Sequence, residues 1–162
     1  MTLSKSQFEK LEQARPVIDS LIKITHLQVV ATSREHADRL IREAERHTAS
    51  ARIICTTDLE GAYSLLYAGA RKALTALLEI QGLRPTATGG HVVIYETLYA
   101  QLESPMERLI SSFNRMRRNR NSREYPSVGK EELSIEVVRE DLEKSEEIIM
   151  RAKVLLNELP IF

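Results

Sequence analysis

Residues 135–159 read IEVVREDLEKSEEIIMRAKVLLNEL, and this stretch decides the fold. Its apolar positions, Ile135, Val138, Leu142, Ile149, Ala152, Leu156 and Leu159, step by three and four without a break, with Ser145 the single polar residue on the stripe. That is a seven-residue apolar repeat on one face of a long helix. Such a helix packs inside a bundle or pairs with a second subunit; packing inside is expected.

Working outward, the same periodicity fills the chain. Ser4 with Gln7, Thr32 with Glu35, Thr57 with Glu60 and Ser104 with Glu107 are spaced as capping boxes, in which polar side chains satisfy the free N–H groups of a helix start. The first helix carries Phe8, Leu11, Ile18, Leu21 and Ile22 on one side, and Pro16 is expected to kink or split it. Residues 27–31 form a connector or strand-like turn. A second helix runs to about Ala51. A third has Ala62, Leu66, Gly69, Ala73, Leu77 and Ile80 facing the core, and Gly69 and Ala73, one turn apart, leave room for close helix approach. Gly82 ends it, since the position after a last turn favours a left-handed backbone. Residues 83–90, with Pro85 and Gly89-Gly90, read as a flexible loop. A fourth helix spans about His91 to Leu102. Pro105 is suited to the first position of a fifth, which continues to about Tyr125 and stops before Pro126. The sequence predicts an all-α, up-and-down bundle of four to six helices, with no strand pattern. Residues 1–31 make an N-terminal helix and connector, residues 32–162 the bundle, and the whole forms one compact domain.

Bulk numbers narrow the function. The 162 residues are 43% hydrophobic and 28% charged, with a formal net charge of zero. Global charge therefore gives no pull toward nucleic acid or an anionic membrane, and any such attraction must be local. Cys55, the single cysteine, excludes an intramolecular disulfide and a Cys-based zinc site; in the run Ile53-Ile54-Cys55 it reads as a core thiol. No stretch reaches the ~18 apolar residues of a membrane span, and residues 1–6 lack the apolar region of a signal peptide, so no membrane association and a cytoplasmic location are expected. His26, His36, His47 and His91 show no metal-ligand spacing, and no metal or cofactor is expected. His91 follows Gly89-Gly90 at a helix start, as a local cap or loop contact, and is the histidine that tertiary folding could bring to the arginines described next. Tyr63 with Tyr67, and Tyr95 with Tyr99, are spaced as half-buried interhelix pairs or as a base-stacking platform.

Chemistry concentrates in residues 114–123, NRMRRNRNSR, with five arginines and no acid. Guanidinium groups are planar, permanently charged and bind phosphate oxygens through paired hydrogen bonds. Arg118, Asn121, Ser122 and Tyr125 lie at i, i+3, i+4 and i+7 and share one helical face; Arg120 lies off it. Arg117 and Arg123 add charge beside it. Against this stands a simpler reading: arginines are favoured in the last turns of a helix by its dipole and often form only a solvated face.

The segment 120–126, RNSREYP, resembles the signature of HEPN-domain proteins, in which an arginine and a polar residue precede a histidine by four to six positions late in a helical bundle. Residues 70–78, ARKALTALL, with 82–85, GLRP, and 89–91, GGH, are also similar to bacterial members of that superfamily, and the likeness covers about residues 35–158. It implies a bundle that commonly forms a homodimer. It also implies binding of RNA or nucleotide phosphate, metal-independent endoribonuclease activity in many members, and toxin–antitoxin or phage-defence roles. The partners it implies are a nucleotidyltransferase or an antitoxin protein. Arg120, or alternatively Arg118, would take the motif arginine, Asn121 the polar position, and Arg117, Arg118, Ser122 and Arg123 would hold phosphate. Tyr125 stands where the histidine would be. A phenol with a pKa near ~10 is a poor base beside an imidazole near ~6.5, so Tyr125 would act as acid, weak base or binding group, or as a hydroxyl nucleotidylated by the partner. The other reading of the same residues is a non-catalytic interaction module whose arginines meet an acidic protein surface.

Overall fold

The computed structural model describes residues 3–124 and 132–162 of the chain. Six helices account for most of them: α1 (Lys5–Lys23), α2 (Arg34–Ile54), α3 (Leu59–Gln81), α4 (Val92–Gln101), α5 (Met106–Glu124) and α6 (Ile135–Leu155). Two three-residue strands, β1 (Leu27–Val29) and β2 (Leu83–Pro85), complete the order. The fold is an all-α bundle, and no helix of the described residues is long and apolar enough to cross a membrane.

Helix α3 is the axis. It touches α2, α4, α5 and α6, and it is buried nearly all round, from Ala62, Tyr63, Leu66 and Tyr67 through Ala73, Leu74, Leu77 and Leu78. A helix apolar on every side belongs in the middle of a bundle. Gly69 shows how tightly the neighbours close on it. A methyl placed there would lie 2.9 Å from Thr48 Cγ2, 3.1 Å from the Ala44 carbonyl oxygen and 3.6 Å from Ser145 Oγ, so α2 and α6 both rest on this one position. Ser145, the polar member of the α6 stripe, is fully buried and donates its hydroxyl to the Leu66 carbonyl at 2.7 Å. The stripe faces inward, with Val138, Leu142, Ile149, Ala152, Leu156 and Leu159 all in the core.

Several local expectations are corrected. Helix α1 is one element with Pro16 inside it, so of the kink or split expected there the split does not occur. Phe8 is half exposed, and Gln7 takes its place in the core, its amide donating to the Gln101 carbonyl and its oxygen accepting from the Glu103 N–H. Ser4 does cap the Gln7 N–H, but Gln7 is thereby unable to reach back and close the box. Helix α2 is capped by Ser33, not Thr32, and continues to Ile54 beyond Ala51. Helix α3 is capped by Asp58, not Thr57.

The loop expected over 83–90 is ordered. β1 and β2 pair antiparallel in the register Leu27 with Pro85, Gln28 with Arg84 and Val29 with Leu83. Gly82 ends α3 at φ 78° and turns the chain into this ribbon. Thr86 then anchors the next turn. Its N–H donates to the His26 carbonyl and its hydroxyl to the Thr25 carbonyl, while that hydroxyl accepts from Gly89 N–H. Gly89 is needed because a methyl there would collide with the His26 carbonyl. This turn sets the position of His91.

Candidate functional site

Three elements converge on His91. Helix α3 carries Tyr63, Tyr67 and Arg71 at successive i, i+4 steps, a line that runs from the core to the surface. Helix α5 is anchored by Phe113 and Met116, both fully buried, which places Arg117 and Arg120 at the edge of the core. His91 stands immediately before α4, where it makes no side-chain cap. Its Nδ1 lies 2.8 Å from the Tyr67 hydroxyl instead. The Arg120 guanidinium sits over the Tyr67 ring at 5.4 Å from the centroid, close enough for cation–π attraction. The Tyr67 ring also stacks parallel on Phe113 at 5.5 Å. Tyr67 is thus the buried plate that joins imidazole to guanidinium.

The electrostatics follow from this placement. Burial, reinforced by the charges of Arg71, Arg120 and Arg117, pushes the His91 imidazole down to about 4. Removing a cation's hydration and adding like charges both disfavour imidazolium. At neutral pH His91 is therefore an uncharged group with a donor and an acceptor nitrogen, held among three cations.

A second network lies one turn deeper. Asp141 on α6, buried, pairs with Arg115 and accepts from the Tyr63 hydroxyl at 2.8 Å. Tyr63 in turn accepts from Asn119 Nδ2 at 3.0 Å, and the Asn119 oxygen accepts from Arg123 Nε at 3.1 Å. Arg123 closes the chain on Glu60 at 3.2 Å. Burial, then the Asp141 charge, raises the Tyr63 phenol, so it stays protonated. This network ties α3, α5 and α6 together and fixes the twist of α5. A small cleft of about 280 Å³, lined by Glu60, Tyr63, Ser64, Arg120 and Arg123, opens above it.

The arginine run is accordingly split by role. Arg115 is committed to Asp141, and Arg123 to Glu60 and Asn119. Arg117 is half-buried and donates to Asn114 at 3.1 Å. Arg118, Asn121 and Ser122 share a face as their spacing implies, but that face is exposed, and the Ser122 hydroxyl is turned back to the Asn119 carbonyl. Tyr125 lies outside the described residues. The structure brings Arg120 and Arg117 to His91; it leaves Arg118, Asn121 and Ser122 on the outer face. Arg71 was not singled out as a site residue by sequence, and Tyr67 was read only as half of an interhelix or base-stacking pair. Their signal was the i, i+4 step from Tyr63 to Tyr67 to Arg71. Tyr63 and Tyr67 are fully buried, not half-buried, whereas Tyr95 and Tyr99, with ring centroids 5.3 Å apart, reach solvent. Among the described residues no group of three His, Cys, Asp or Glu side chains is placed to hold a metal ion.

Compared with protein-family models and with curated proteins, the chain matches none.

Proposed function

We propose that this chain binds the phosphate of RNA or a nucleotide, in the manner of a HEPN-like protein, at the point where Arg71, Arg117 and Arg120 surround His91. The observation that carries the reading is the geometry by which Tyr67 holds the His91 imidazole on its hydroxyl and the partly buried Arg120 guanidinium over its ring. Guanidinium groups gathered at one edge attract an anion. A phosphodiester fits them: its non-bridging oxygens accept from guanidinium N–H groups, and a His91 N–H completes the set.

Cleavage is a second reading: an imidazole stands near the arginines where the linear motif offers Tyr125, and although burial and those arginines weaken it as a base, the charge of a bound phosphodiester raises it again. In RNA, the 2′-oxygen attacks phosphorus, a new P–O2′ bond forms and the P–O5′ bond breaks. His91 accepts the 2′-hydroxyl proton, and water or the resulting imidazolium gives one to the departing 5′-oxygen, so charge and protons balance. The guanidinium groups stabilise the added negative charge on the phosphorane.

Fluorescence anisotropy with a short single-stranded RNA tests binding. Arg117→Ala and Arg120→Ala are each expected to weaken affinity by about tenfold, the worth of a charge-assisted contact, with the helical circular-dichroism signal retained. Unchanged affinity in the double variant overturns the site. Incubation with RNA in EDTA separates the two readings: fragments ending in a cyclic phosphate, lost in His91→Ala, support cleavage, and intact RNA leaves binding alone.

A further inference from the structure

The cations around His91 continue along the bundle surface. Arg71 is followed by Lys72, whose ammonium is bonded to Glu43 of α2 at 2.5 Å. Glu43 is one turn from His47 and from the exposed Arg46 on the same helix. In the other direction Arg71 lies one turn from Tyr67, which holds His91 and carries Arg120. A connected row therefore runs from Arg46 and Lys72 on one side, through Arg71, to Arg117 and Arg120 on the other, crossing from α2 over α3 to α5. Its electrostatics are mixed but net lowering: burial and then Lys72 lower His47 against the raising charge of Glu43, with Arg46 and Arg71 adding to the lowering, and Arg71 acts on His91 as well. Glu43 is the acid within the row, and its charge is matched by Lys72. In a chain of zero formal net charge, a row of this length is a segregation of charge.

We infer that this row is a track for a single-stranded RNA several nucleotides long, with Arg71 between a distal phosphate contact at Arg46, beside the Lys72–Glu43 pair, and the phosphate site at Arg120. The inference rests on the phosphate site proposed above and extends it from one phosphate to a strand. Two interhelical steps of about 8–10 Å each separate the ends, more than one phosphate can bridge. A flexible strand with regularly spaced charges matches such a row, and basic grooves that follow the backbone bind single strands with strong salt dependence.

The test compares two fluorescent probes, an oligouridylate of roughly 12 nucleotides and a uridine dinucleotide, against wild type, Arg46→Glu and Arg120→Ala. Arg46 is exposed, so its replacement leaves the core untouched. The long probe is expected to bind wild type more tightly than the dinucleotide. Arg46→Glu should weaken the long probe by about tenfold, lower its log affinity–log salt slope by about 0.7 for each phosphate no longer neutralised, and leave the dinucleotide within about twofold. Arg120→Ala should weaken both. If Arg120→Ala weakens both probes while Arg46→Glu weakens neither, the track is overturned and the phosphate site stands. If Arg120→Ala weakens neither probe, the site falls, and the track with it. An oligoglutamate of equal charge that displaces the long probe as well as unlabelled RNA does would overturn the assignment to RNA.

Discussion

Tyr63 and Tyr67 differ by one helical turn and do different work. Tyr63 is locked between Asp141 and Asn119 and serves the fold. Tyr67 is locked between His91 and Arg120 and serves the surface. Replacing Tyr63 with phenylalanine removes one acceptor and one donor from a buried network. It should cost about 1–3 kcal/mol, measured by urea denaturation, while leaving RNA affinity nearly unchanged. A stability loss with a parallel loss of binding would show that the two networks are one. These roles were only partly legible in the sequence. The arginine run announced a cluster, but the face picked out by spacing, with Arg118, Asn121 and Ser122 on it, carries no apolar residue among these and is the solvated one. A site that shifts the properties of its groups needs partial burial, and Phe113 and Met116 mark Arg117 and Arg120 as the residues that have it.

At the level of elements, the helices were readable because their determinants are local: the three-four spacing of α6, the glycine ending α3, and Gly69 leaving room for a neighbour. The details that failed are those in which two polar residues compete for one role. Ser33 outcompetes Thr32 as cap, and Asp58 outcompetes Thr57, each by accepting from the N–H three residues ahead. The β1–β2 ribbon was hidden because three-residue strands carry no usable alternation and their pairing depends on α1 and α3 ending at the same place. That ribbon and the Thr86 turn deliver His91, so the missed element is the one that matters for the site. Gly69→Ala tests the packing of α2, α3 and α6. With Ala44 backbone at 3.1 Å from the added methyl, the helices must separate, and a loss of about 1–3 kcal/mol is expected in the unfolding free energy. An unchanged or raised stability would mean that the junction has slack.

For the molecule as a whole, zero net charge conceals an uneven distribution. Arginines from α3 and α5 meet at His91 only after the chain has folded, and no linear spacing between residues 71, 91, 117 and 120 foretells it. Because His91 lies below its ordinary value of 6.5, at about 4, the unfolded chain binds a proton in that interval and the folded chain does not. Its contribution to stability is therefore complete above pH 6.5 and is lost as pH falls toward 4. A bound phosphodiester, whose charge is constant through this range, acts in the opposite direction: it favours imidazolium and raises the His91 midpoint, so binding tightens as pH falls. The decisive measurement is an NMR titration of the His91 ring in protein labelled at histidine nitrogen, free and saturated with uridine dinucleotide. A free midpoint near 4 that moves upward on saturation, and moves up without ligand in Arg71→Ala, is the expected result. A free midpoint at 6.5, or one that the dinucleotide leaves in place, would contradict an anion site built around His91.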